Sequence, residues 1–129
     1  QDLGTGIITA GLVFGGANPP DDSPSALTES YNGTNWTELN DLNTGGRNMG
    51  GAGSSNTSVL AFGGITTSAA TQSWNGTNWT NENNLNTGRT ALGGAGVATL
   101  ALAFGGDTPP NTTATEEWIG DGILSENID

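Results

Sequence analysis

The chain has no cysteine, no histidine and no lysine, and its two basic side chains are Arg47 and Arg89. Each absence closes off chemistry. Without cysteine there is no disulfide and no thiolate nucleophile. Without histidine, Ser-His-Asp catalysis and most zinc sites are excluded. Two arginines against 13 acidic residues give a net charge of −11 and a pI near 4.1. That balance excludes a nucleic-acid partner, because phosphate binding needs clustered Lys and Arg. It argues equally against an anionic membrane surface. No stretch is apolar for long enough to span a bilayer, so no membrane insertion is expected. Gln1-Asp2-Leu3 carries no basic leader region, and the missing initiator Met suggests a processed chain or a piece of a longer one.

What is abundant is glycine, 22 residues in 129, and it recurs in register. Asn-Gly-Thr-Asn-Trp-Thr stands at 32–37 and again at 75–80, and Gly-Gly-Ala-Gly at 50–53 and 93–96, both 43 residues apart. Phe-Gly-Gly begins at Phe14, Phe62 and Phe104. Thr115-Glu116-Glu117-Trp118 aligns with Thr28-Glu29-Ser30-Tyr31 and Thr71-Gln72-Ser73-Trp74. The third repeat has Ile123 in place of its last Trp. The period divides a single repeat domain, 1–129, into units of about 1–43, 44–86 and 87–129.

One unit reads as four strands. In the second unit, 49–54 is small and glycine-rich, and Asn56-Thr57-Ser58 turns it. Residues 59–64 form a short apolar run, as in a strand buried on both faces. A loop leads to 71–74. Asn75-Gly76 is then a hairpin signal, expected as a type I′ turn with both residues at positive φ, and the fourth strand starts at 78. Trp79, Glu82 and Leu85 are spaced by three, but the Asn- and Thr-rich context opposes a helix. Four short antiparallel strands per repeat predict an all-β protein of three propeller blades, with the glycine pairs letting inner strands approach closely.

An apolar run, Gly-Gly, a variable loop, an aromatic, a hairpin, Trp and a polar loop with Arg together resemble the kelch repeat. The residues are Gly15-Gly16, Gly63-Gly64 and Gly105-Gly106; Tyr31, Trp74 and Trp118; Trp36 and Trp79; and Arg47 and Arg89. The wording Asn-Leu-Asn-Thr-Gly-Arg and Leu-Ala-Phe-Gly-Gly is similar to kelch-like repeat proteins of marine bacteriophages. The resemblance implies a virion-surface or tail-fibre component, extracellular and non-enzymatic. Kelch copper oxidases use histidine and a cysteine-linked tyrosine, and sialidase propellers an arginine cluster; this chain lacks both sets. The period places the aromatic residues in packing between blades.

The remaining carboxylates, Asp21-Asp22 and Glu116-Glu117, are adjacent in sequence, and neighbours in a strand point apart. Asp121-Gly122 and Asp21-Asp22 are weak candidates for calcium, and no cofactor or metal is expected.

Because strands alternate in direction, the loops at 17–27, 65–70 and 107–114 share one face with the links between units. The candidate binding face comprises Asn18, Asp21, Asp22, Asn43, Thr44, Arg47, Thr66, Thr67, Asn86, Thr87, Arg89, Asp107 and Asn111. Loops varying on a regular scaffold suit a host-surface glycan or protein. The alternatives are a purely structural self-assembling unit, in a capsid decoration or filament, and a cellular kelch adaptor. Three units cannot close a ring, so a homo-oligomer or further blades of a longer chain are expected.

Overall fold

A computed structural model describes residues 3–119 and 122–125. These contain strands and connecting segments but no helix, so nothing among them could cross a membrane as a helix. In chain order the strands are β1 (Leu3–Ile7), β2 (Ala10–Phe14), β3 (Ala17–Asn18), β4 (Ser23–Pro24), β5 (Thr28–Tyr31), β6 (Trp36–Leu39), β7 (Gly50–Ser55), β8 (Ser58–Phe62), β9 (Thr71–Trp74), β10 (Trp79–Glu82), β11 (Gly93–Val97), β12 (Leu100–Phe104), β13 (Thr115–Ile119) and β14 (Gly122–Ser125).

They form three four-stranded antiparallel sheets, ordered β1-β2-β5-β6, β7-β8-β9-β10 and β11-β12-β13-β14. A fourth sheet, the two-stranded pair β3-β4, was not foreseen. It lies inside the 17–27 segment, which reads as loop from the sequence. The sheets do not close into a ring. Their first strands lie side by side, β1 against β7 and β7 against β11.

Glycine explains that approach, through the pairs of the Gly-Gly-Ala-Gly strands. A Cβ on Gly94 of β11 would sit 2.5 Å from the Gly51 carbonyl oxygen of β7 and 2.6 Å from the Phe62 ring. Only a residue without Cβ fits there. Gly63 instead ends β8 at φ 74°, where the chain turns out of the sheet.

Two cores fill the two gaps between sheets. Leu12, Phe14, Leu42, Met49, Val59, Ala61, Trp74 and Trp79 pack between the first and second sheets. Ala52, Leu60, Phe62, Leu85, Leu92, Ala101, Ala103 and Trp118 pack between the second and third. Alternation along β8 supplies both: Val59 and Ala61 face one way, Leu60 and Phe62 the other. The first link between sheets contributes Leu42 and Met49, the second Leu85 and Leu92.

The Asn-Gly hairpins are four-residue loops, not two-residue type I′ turns. Trp74 pairs directly with Trp79, leaving 75–78 as the loop. Gly76 has φ 98° while Asn75 stays at negative φ. The Asn75 Oδ1 accepts the N–H groups of Thr77 and Asn78, both at 2.9 Å. Asn32 does the same for Thr34 and Asn35. The asparagine side chain caps the turn, so a left-handed backbone is not needed at that position.

Candidate binding face

The loops after β2, β8 and β12 have one base and three tips. At the base, Gly15 N–H donates to Leu27 O, Gly63 N–H to Ala70 O and Gly105 N–H to Ala114 O, each at 3.0 Å. One step further out, Ser25 N–H donates to Gly16 O, Ser68 N–H to Gly64 O and Thr112 N–H to Gly106 O. The links between sheets are stitched to these bases. Gly16 N–H reaches Gly46 O, Ile65 N–H reaches Arg47 O, and Thr90 and Asp107 exchange backbone bonds. Residues 17–25, 43–48, 65–70, 86–91 and 107–114 therefore share one face.

The tips differ. Asn18, Asp21, Asp22, Thr66 and Asn111 are exposed, and Thr67 and Asp107 half-exposed. Asp21 Oδ1 accepts the Ser23 N–H at 3.1 Å, which holds its carboxyl below the ordinary aspartate range. Asp22 lies 3.6 Å from the Arg47 guanidinium. Asp22 is exposed and Arg47 half-buried, so solvent screens this long pair and it contributes little to stability.

Arg89 does not belong to the exposed face. It is fully buried, with Nη2 2.7 Å from Glu116 Oε2 and Nη1 donating to the carbonyls of Gly105 and Ala114. Its Nε is buried with no hydrogen-bond partner. Nor is it the counterpart of Arg47. Arg89 O accepts from Gly64 as Gly46 O accepts from Gly16. The repeat thus aligns Arg89 with Gly46, and Arg47 with Thr90.

Asn43, Thr44, Asn86 and Thr87 keep exposed side chains, but their backbones fasten one sheet to the next. Asn43 and Thr44 N–H donate to Gln72 Oε1 at 2.7 and 3.3 Å, and Gln72 Nε2 returns a bond to Thr44 O at 3.0 Å. Asn86 N–H donates to Glu116 Oε1 at 2.6 Å and Thr87 N–H to Oε2 at 3.4 Å. Glu116 is thus committed to the clasp, while Glu117 points to the other side of β13. The two do not converge. Asp121 lies outside the described residues, and among the described ones no cluster of three acidic side chains could hold a metal.

The aromatic residues divide by place. Trp79 is buried, its Nε1 donating to Thr28 Oγ1 of the preceding sheet at 2.9 Å. Trp74 and Trp118 are buried too and anchor hairpins through Asn56 O and Ala98 O. Trp36 breaks the expectation: it is 55% exposed, because no sheet precedes the first among the described residues.

Thr71 occupies in the second sheet the place of Thr28 in the first, and its Oγ1 is buried without a partner. The third repeat carries Ile123 where a Trp would donate to it. Thr71→Val should therefore be neutral or slightly stabilising in urea unfolding. Thr28→Val should cost about 1–3 kcal/mol, since it strands the Trp79 N–H.

These observations define an all-β repeat protein of four-stranded antiparallel sheets laid first strand against first strand. No family model matches the chain, and no curated protein matches it. Its fold is similar to the solved structure of YjhT, with a TM-score of 0.74 at 15% sequence identity. The match covers 92% of this chain and 43% of that one, so the chain spans less than half of its structural neighbour.

Proposed function

We propose that the three four-stranded sheets are blades of a kelch-like β-propeller. They form a non-enzymatic module of a virion surface or tail fibre that binds a host-surface glycan or protein through its loop face. One observation carries this reading: a constant hydrogen-bonded base repeats under three tips of unlike structure, all on one face. A scaffold that holds its frame while its tips vary suits recognition.

Grafting separates the parts. Replacing residues 19–22 with Gly-Ser should leave stability within about 0.5 kcal/mol, because these residues bear no buried anchor. Extending the replacement through Ser25 should destabilise, since Ser25 is buried and bonded to Gly16 and Gly46. With the 19–22 replacement and Thr66 and Thr67 changed to Gly, adhesion to host cells and glycan-array binding should fall while the melting curve holds. Unchanged adhesion removes the binding reading.

A structural role is favoured by a separate observation. The outer face of the third sheet exposes Leu100, Leu102 and Phe104, and Leu100 and Leu102 line an open apolar recess of about 450 Å³. A self-assembling unit would cover such a face with further blades or a second copy.

A further inference from the structure

The second sheet receives its predecessor through three contacts, and the third shares the first of them. The side chain at the second position of the Thr-x-x-aromatic strand, Gln72 or Glu116, takes the two N–H groups of the incoming Asn-Thr loop. In the second sheet, the Trp of the last strand donates to a threonine hydroxyl of the predecessor. Over the Trp74–Trp79 pair lies the predecessor's Phe14, edge-on to Trp79 at 5.1 Å.

The clasp comes in two matched forms. Neutral Gln72 faces a loop reading Asn43-Thr44-Gly45-Gly46. Charged Glu116 faces a loop reading Asn86-Thr87-Gly88-Arg89, whose guanidinium pairs with it. Charge on the receiving strand is answered by charge at the fourth loop position.

The first sheet carries the same receiving set, unfilled. Glu29 holds the place of Gln72 and Glu116: it pairs with Val13 as they pair with Ala61 and Ala103. Tyr31 and Trp36 repeat the Trp74–Trp79 pair, with ring centroids 4.9 Å apart. Yet Glu29 and Trp36 are exposed, and no bond to the Glu29 carboxylate exists among the described residues. Glu29 also stands directly across from Glu38, a like charge that a cation would relieve.

We infer that this face is a socket for one further repeat of the same pattern whose loop reads Asn-Thr-Gly-Arg. Its two loop N–H groups and its guanidinium close on Glu29. Its Phe covers Trp36, and its Thr hydroxyl accepts the Trp36 N–H. A Gly-Gly loop does not fit, because it would bury the Glu29 carboxylate without a cation. Neither loop of the present chain is free to serve, since both are spent inside it. The inference rests on reading the sheets as propeller blades.

The periodicity supplies the test. A copy of residues 47–90 placed directly before Gln1 brings an Asn-Thr-Gly-Arg loop into register with Glu29. In that tandem, Trp36 should become protected from acrylamide, read by difference against Trp36→Phe. Glu29→Gln should lower its Tm by several degrees while leaving the original chain unchanged. Adding Arg89→Gly in the extra copy should recover most of the loss. If Trp36 stays as quenchable as in the original chain, both the socket and the blade reading fall. If Trp36 is protected but Tm ignores Glu29, the clasp falls and the blades stand. An equal Glu29→Gln effect in the original chain would mean that a second copy already covers this face, which overturns the assignment.

Discussion

Arg89→Ala is expected to destabilise the protein by about 3–5 kcal/mol, the range for breaking a buried ion pair by removing one partner. Both side chains of the pair have no exposed surface, and their separation is 2.7 Å. Truncation leaves Glu116 buried with only the N–H groups of Asn86 and Thr87, and it strips a donor from the carbonyls of Gly105 and Ala114. The measurement is urea unfolding followed by tryptophan fluorescence. The junction between the first two sheets supplies the rescue. There Gly46 and Gln72 stand in place of Arg89 and Glu116, and a Cβ on Gly46 would come 2.6 Å from the Met49 sulfur. Met49 thus takes space opened by the glycine. Arg89→Gly, Leu92→Met and Glu116→Gln together should recover most of the stability. A triple variant as weak as Arg89→Ala would show that the two junctions are not interchangeable.

Trp79→Ala should also cost about 3–5 kcal/mol, as for truncating a buried large aromatic. Trp79 lies against Phe14 and Trp74, with centroids at 5.1 and 5.3 Å. Its indole N–H reaches Thr28 Oγ1 across the gap between two sheets, so alanine removes volume and leaves that hydroxyl without its donor. Trp36→Ala is the control: the same repeat position, but exposed, with a much smaller expected loss. Equal losses in thermal unfolding would contradict the packing described here. A loss of binding with no change in Tm at Trp79 would make that residue a surface platform instead.

The strands were readable because the period of 43 put identical words at identical depths. Thr71–Trp74 and Trp79–Glu82 stand where the alternation and the hairpin placed them. Local chemistry was harder to read. Asn-Gly suggested a two-residue turn, but the Asn side chain captured two backbone N–H groups and made a wider loop stable. The glycine pairs suggested close approach of inner strands, and the pairs of the Gly-Gly-Ala-Gly strands carry that role. Arg47 and Arg89 looked equivalent because each follows Asn-Thr-Gly, yet one extra glycine shifts Arg47 by a position. That shift leaves one guanidinium half-exposed beside Asp22 and the other fully in the core. The column Glu29, Gln72, Glu116 was the available signal: a position alternating between acid and amide on an otherwise constant strand marks a partner that changes with it.

That alternation bears on how near-identical units avoid trading places while the chain folds. Tandem repeats of similar sequence are prone to docking on the wrong neighbour. Here a swapped junction would bury either Glu116 facing Gly46 or Arg89 facing Gln72, and each leaves a lone charge in the core. Desolvating an unpaired ion is costly enough to reject the mistake. The two clasps therefore act as a proofreading code, written in one charge, for the order in which the sheets assemble.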